Sequence, residues 1–194
     1  MPVKPPTKSP CPIARSLDAV GGWWTMLILR DAFYGLSRFD EFEKSLGIAP
    51  TMLTRRLGEL VEAGLLDRHQ YSDKPPRYEY GLTDRGQDFW PVLVTLLDWG
   101  NKHFAPEGPS LVLVNRETGK RVAPALTDAR SGERITSQQH MMGAGPVAND
   151  YVRRRVAFGA AKHKDPELRP TFLAAEHDLR TQLTRKRSSS RRSS

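Results

Sequence analysis

Between residues 48 and 66 the chain reads IAPTMLTRRLGELVEAGLL, and this stretch leaves the fold the least room. Pro50 has no N–H and a φ fixed near −65°, which suits the first turn of a helix. Leu53, Leu57, Leu60 and Val61 then recur at helical spacing, so one face is apolar and needs a core to lie on. Thr51, Thr54 and Arg55 fall on the opposite, uncovered face, and Gly64 is placed as a C-terminal stop. Residues 66–71 and 77–82 next read as two strands around Ser72-Asp73-Lys74-Pro75-Pro76, a hairpin with a five-residue basic tip.

Three shorter helices precede this unit. Pro12 opens the first, in which Ile13, Leu17 and Val20 share a face, and Gly21-Gly22 ends it. Residues 23–33, with Met26, Leu27 and Arg30 in a mostly apolar run, form the second. Tyr34-Gly35-Leu36-Ser37 breaks it. Ser37 is expected to cap the third, 38–46, where Phe39, Phe42 and Leu46 are spaced i, i+3, i+7 and Gly47 closes the helix. After the hairpin, Thr83 caps a long helix running to about residue 104, and Pro91 inside it should bend it or mark its true start. With Phe89, Trp90, Leu93, Leu96, Leu97 and Phe104, that helix carries more apolar surface than one small domain covers. Trp90, Leu93, Leu97 and Phe104 are therefore expected at a dimer interface.

The remainder has another character. Residues 114–122 (VNRETGKRV) and 127–135 (TDARSGERI) share one pattern: Asn or Asp, two residues, Thr or Ser, Gly, one residue, Arg. That is turn chemistry, and two small hairpins are expected. Residues 137–148 read as loop, and Asp165-Pro166 opens a last helix with Leu168, Phe172, Leu179 and Leu183 on one side. Residues 1–10 are a Pro-rich arm, and 183–194 form an Arg/Ser tail of low complexity, both expected to be disordered. The expected division is thus 1–10, 11–109, an α+β extension over 110–182, and the tail.

A net charge of +8 and a pI near 9.9 point to a polyanionic partner. The distribution qualifies this, because 11–109 holds 11 basic against 14 acidic residues, so the excess lies elsewhere. Cys11 is the one cysteine, which excludes an intramolecular disulfide framework and a Cys-rich zinc site. No apolar run approaches the roughly 18 residues of a membrane span, and residues 1–10 lack a signal-type apolar core, so a cytoplasmic location is expected. The sequence has no phosphate-cradling G-x-x-x-x-G-K, no H-E-x-x-H and no G-x-S-x-G, and the five histidines are scattered. No catalytic residue, metal or cofactor is expected, leaving Cys11 as the one thiol with possible redox chemistry. No small-molecule effector is identified.

Helix, turn, exposed polar helix and basic hairpin in this order fit double-stranded DNA. A helix about 10–12 Å across fits the major groove, short polar side chains near its start can approach base edges, and an arginine can fork onto guanine. The candidate DNA contacts are Arg38, Pro50, Thr51, Thr54, Arg55 and Arg56, with Lys74 and Arg77 reaching phosphates from the hairpin. A protein-interaction module and a nonspecific nucleic-acid binder are the competing readings. The Arg153-Arg154-Arg155 run reads first as a solvated face and second as a backbone contact.

Several runs resemble the HxlR-type bacterial regulators: Cys11-Pro12-Ile13, Gly21-Gly22-Trp23-Trp24-Thr25-Met26-Leu27, Arg38-Phe39-Asp40-Glu41-Phe42 and Gly47-Ile48-Ala49-Pro50-Thr51-Met52-Leu53. Gly64-Leu65-Leu66, Pro75-Pro76-Arg77-Tyr78-Glu79-Tyr80 and Leu82-Thr83-Asp84-Arg85-Gly86 continue it, in order, over about 11–109. The resemblance implies a mainly α, α+β winged helix-turn-helix homodimer that acts on transcription through a palindromic operator, paired through its N-terminal and post-wing helices. It also implies an oxidant-sensing cysteine in some members at the place of Cys11. Two features depart from it: Trp24 stands where a basic residue is common, and 110–194 exceed the minimal family length.

Overall fold

The computed structural model describes residues 10–164; the arm before them, and the helix and tail expected after residue 164, lie outside the described residues. The elements are α1 (Pro12–Val20), α2 (Trp23–Phe33), α3 (Phe39–Leu46), α4 (Pro50–Glu62), β1 (Leu66–Asp73), β2 (Pro76–Leu82), α5 (Asp84–Gln87), α6 (Trp90–His103) and α7 (Asp150–Lys164). Two compact units result, Met1–Arg134 and Ile135–Ser194. The division falls later than the change in composition near residue 110.

In the first unit the helices converge on one core. Ile28 and Leu29 of α2, Phe42 of α3, Leu53, Leu57 and Leu60 of α4 and Leu66 of β1 are all fully or almost fully buried. Each such side chain contributes roughly 1.5–3 kcal/mol by leaving water, so the leucine stripe of α4 is a main anchor of the domain. The ends of α4 are equally determined. Ala49 and Pro50 open it. At its close, Leu65 N donates to Leu60 O at 2.9 Å and Gly64 N to Val61 O at 2.9 Å. With Gly64 in the left-handed region at φ +67°, this is a Schellman closure, and its two flanking leucines are both buried.

Asp31 is buried on α2, where a lone carboxylate would be costly. Arg30 Nη2 lies 2.7 Å from it, and Ser45 Oγ of α3 donates to it at 2.6 Å. The Arg30 contact balances the charge within α2, and the Ser45 bond ties α2 to α3.

The start of α3 differs from the sequence expectation. Arg38, not Ser37, holds the N-cap position. The orphan amides of Ser37 and Arg38 both donate to Oε2 of Glu41, each at 2.9 Å. The carboxylate accepts both amides, and those backbone bonds hold the Glu41 pKa below its ordinary value. Ser37 instead offers its carbonyl to Tyr80 N at 2.7 Å, and Arg38 bridges Glu79, so this segment adds a short third edge to the hairpin.

The hairpin is longer and tighter than expected. Its strands pair from Leu66↔Leu82 to Asp73↔Pro76, leaving a tip of Lys74 and Pro75 instead of five residues. Side-chain bonds tighten it: Gln70 Nε2 donates to Ser72 O and Asp73 Oδ1, and Ser72 Oγ donates to Pro75 O. A bulge between Gln70 and Ser72 leaves Tyr71 as the extra residue.

Beyond the hairpin, Thr83 Oγ1 accepts Gly86 N at 3.0 Å and donates to Gly64 O at 2.6 Å, while Arg85 Nη1 donates to Ala63 O at 2.9 Å. The last two bonds satisfy carbonyls at the end of α4. A Cβ on Gly86 would collide with the Leu65 carbonyl, so only glycine lets the chain pass there. The expected long helix is consequently two, with Pro91 in the first turn of α6 as a true start.

The two repeats after α6 keep their turn chemistry and lose their strands. Asn115 Oδ1 accepts Glu117 N and Thr118 N, and Asp128 Oδ1 accepts Arg130 N. Each turn is closed by a single bridge, Val114↔Arg121 or Thr127↔Arg134. A hairpin with no sheet to join is marginal, so pairing stops at one bridge. In the second unit α7 covers residues that the sequence pattern left unassigned; Val152, Val156, Gly159 and Ala160 are among its half-buried positions.

Candidate nucleic-acid interface

The outward face of α4 carries Pro50, Thr51, Thr54 and Arg55, all exposed, opposite the buried leucines. Thr54 Oγ1 donates back to Pro50 O at 2.9 Å, which orients the hydroxyl oxygen outward as an acceptor. The Arg55 side chain is 56% exposed and only lightly held, with Nη2 3.0 Å from Met52 Sδ and Nε 3.9 Å from Glu59 Oε1. A guanidinium held this loosely, on an exposed helix face, can turn its fork to a base edge or a phosphate.

Its neighbour does something else. Arg56 is only 21% exposed, and its Nη1 lies 2.6 Å from Glu59 Oε2. Its guanidinium carbon sits against the α1–α2 junction, 3.0 Å from where a Cβ on Gly22 would be. Arg56 Nε is buried and, among the described residues, has no hydrogen-bond partner. Successive residues of a helix point about 100° apart. That rotation takes Arg55 to the surface and Arg56 into the seam between α4 and α1–α2.

The remaining candidates lie on and beside the hairpin. Lys74 and Arg77 are exposed at its tip. Arg38, at the start of α3, places its guanidinium over the Tyr71 ring, 4.7 Å from the centroid, so the bulged residue seats it against the hairpin. Arg68 makes the same contact with Tyr78 at 4.5 Å and is an exposed cation absent from the candidates read in the sequence. The available signal was strand alternation, which sets Arg68 on one face with Gln70 and the tip. Tyr80 is half-buried, and burial raises its pKa against the opposing pull of Arg68.

Outside this face, α6 has no fully buried residue; Trp90 is 43% exposed, Trp99 52% and Phe104 66%, and Leu93 and Leu97 are half-buried. An open cavity of about 360 Å³ runs between α2 and α6, walled by Met26, Leu27, Trp90, Leu93 and Leu97. Cys11 is half-buried at the N-cap of α1. No group of three or more metal-ligating side chains occurs among the described residues, and no helix there is long and apolar enough to cross a membrane.

The site is thus a helix with a bare polar face, preceded by α3 and followed by a hairpin with Lys74 and Arg77 near its tip. The profile of the HxlR-like helix-turn-helix family matches residues 19–108. The uncharacterized HTH-type transcriptional regulator Rv3095 of Mycobacterium tuberculosis is 42% identical over 135 residues, 69% of this chain and 85% of that protein. The chain belongs to the HxlR-like helix-turn-helix family. Among solved structures, this HxlR-like protein is similar to PA1374 of Pseudomonas aeruginosa, a candidate transcription factor, with 51% identity and a TM-score of 0.56, covering 75% of this chain and 99% of that one. PA1607, also a candidate transcription factor, gives 38% identity and a TM-score of 0.65 over 72% and 98%. Matches of this length cannot be fitted before residue 109, so they run into the paired turns after α6. The protein is thus a DNA-binding transcriptional regulator of HxlR type and not an enzyme.

Proposed function

We propose that this HxlR-like protein acts in the cytoplasm as a homodimer that recognises a palindromic operator in double-stranded DNA, with α4 in the major groove of each half-site. The observation that carries this reading is the two-sidedness of α4: three leucines wholly buried, and Pro50, Thr51, Thr54 and Arg55 bare on the other side. In the groove, Thr51, Thr54 and Arg55 meet base edges, which specify sequence. Arg38, Lys74 and Arg77 reach the flanking phosphates. Arg56 holds the helix to the domain. Pairing is supported by the apolar surface that α6 leaves uncovered at Trp90, Leu96 and Trp99, with Phe104 at its C-cap and the half-buried Leu93 and Leu97 beside it. A C2 pair sets two readers at fixed spacing, which is what a palindrome requires.

Selection of genomic fragments by the purified protein tests the reading. The expected result is a palindrome whose half-sites lie about one helical turn apart, preferred at least about 10³-fold over other DNA. Binding without preference, or no binding, overturns it.

A further inference from the structure

Charge in this molecule is divided between its two units. Residues 1–134 hold 18 basic and 17 acidic side chains, whereas 135–194 hold 12 basic against 5 acidic in less than half the length. The reader itself, 11–109, is net negative. Phosphate attraction supplies most nonspecific affinity and steers encounter with DNA, and a net-negative domain is poorly placed to provide it. Arg38, Lys74 and Arg77 give the reader local phosphate contacts, while the excess of positive charge lies elsewhere in the chain.

Within the described residues that excess is concentrated on α7, DYVRRRVAFGAAKHK, which has five basic residues and one acidic one. Val152, Val156, Gly159 and Ala160 share one half-buried face, Phe158 is half-buried on another side, and Arg153, Arg154 and Arg155 are exposed. Three consecutive residues sweep an arc of about 200° on a helix. Arg154 is opposite the half-buried stripe and, among the described residues, makes no hydrogen bond or ion pair. Arg153 spends its guanidinium on the neutral carbonyls of Ala148 and Pro146, so its charge stays uncompensated.

We infer that α7 is a second DNA contact, a sequence-independent phosphate-binding helix that supplies the electrostatic attraction the reader lacks. This rests on the DNA-regulator reading above. α4 chooses the site and α7 holds the polyanion. The basic residues 185–187 and 191–192 extend the same charge along the sequence.

The test uses the full chain and a fluorescein-labelled duplex of mixed sequence, with binding followed by anisotropy over a salt series. Arg153→Ser/Arg154→Ser/Arg155→Ser is compared with the wild type, and Arg154→Glu serves as a second variant that leaves the other two arginines in place. Helical circular dichroism checks folding. Expected are a fall in low-salt affinity of at least about tenfold for the triple variant and a shallower log K against log [salt] slope, by about 0.9 for each phosphate no longer neutralised. Preference for the selected operator over mixed sequence should be unchanged. Arg154→Glu should weaken binding in the same salt-dependent way. Unaltered slope and affinity in both variants, with wild type binding normally, overturn the α7 contact alone. A wild type that binds neither duplex overturns the α7 contact together with the reading it rests on. Lost operator preference with an unaltered slope also overturns it, since α7 would then be reading bases.

Discussion

Helices α4 and α6 both carry large apolar side chains at helical spacing, and the structure treats them differently. In α4 the stripe Leu53, Leu57 and Leu60 is closed inside its own chain. In α6 no residue is fully buried, and Trp90, Leu96 and Trp99 keep two-fifths to one-half of their surface exposed. A periodic apolar face states that burial is needed and does not state against what. For α4 the partner is local, because α2, α3 and the hairpin converge on it. For α6 the described residues provide α2 on one side and the turn at Leu111 near its end, and a second copy is proposed to meet the rest of the demand.

The comparison is broken most directly at Leu57. Leu57→Ala should destabilise the domain by about 2–5 kcal/mol, since a fully buried leucine leaves a cavity as well as losing its transfer energy. Thermal and urea unfolding would measure it. A loss under about 1 kcal/mol would mean that the stripe is not the anchor described.

The matching experiment on α6 should leave the fold standing and change the assembly. Leu93 packs partly on the core, so the better probes are the exposed Leu96 and Trp99. Leu96→Asp with Trp99→Asp is expected to keep a cooperative melting transition, lowered by the lost dimer linkage, to sediment as a monomer and to bind the operator weakly. A wild type that is monomeric at micromolar concentration would remove the dimer reading and the meaning of α6 with it.

On the polar face of α4, Arg55→Ala should weaken operator binding by about 1–3 kcal/mol and relax preference at one base pair. Arg56→Ala, one residue on, should instead lower stability, with operator preference retained in the fraction that folds. Equal weakening on every DNA sequence would demote Arg55 to a phosphate contact.

A smaller effect is expected at the start of α3. Glu41→Ala should cost about 0.5–2 kcal/mol of stability at neutral pH, because two amide donors lose their acceptor. The folded-state pKa of Glu41 is lowered. Its contribution is therefore fully present above the unfolded carboxylate pKa, and is lost as pH falls through the lower folded value. Melting curves of the two proteins should converge in acid, and a gap that stays constant would show that the charge is not involved.

The smallest effect is placed at Cys11, half-buried and capping a nine-residue helix. Diamide should alter operator affinity modestly in the wild type and leave Cys11→Ser unaffected. A loss shared by both would show that the effect does not run through the Cys11 thiol.

Much of the fold was legible in the sequence because local chemistry writes it there. Pro50, the leucine stripe and Gly64 mark the beginning, inner face and end of α4, and Asn115 and Asp128 mark their turns. Legibility failed where the deciding partner is distant or where one side-chain type competes with another. Ser37 is a good cap by type, but Glu41 reaches back to the amides of Ser37 and Arg38 with a charge, and the helix starts one residue later. The five-residue tip became two residues because strand pairing continues to Asp73↔Pro76, where Ser72 Oγ reaches across to the Pro75 carbonyl. α7 has three arginines in its second turn and no strong apolar period, so its pattern read as surface.

The sequence by itself determined the order of elements, the inner face of α4 and the membership of the HxlR-like family, since propensity, periodicity and caps act within a few residues. Only the tertiary structure decided what Arg56 meets. Helical periodicity sets Arg55 opposite the leucine stripe and Arg56 on its flank, but it does not say which residues cover that flank. The Gly22 backbone and Glu59 enclose one guanidinium, whereas solvent surrounds most of the other. That assignment depends on how α1 and α2 lie across α4, a relation set by packing between segments some thirty residues apart.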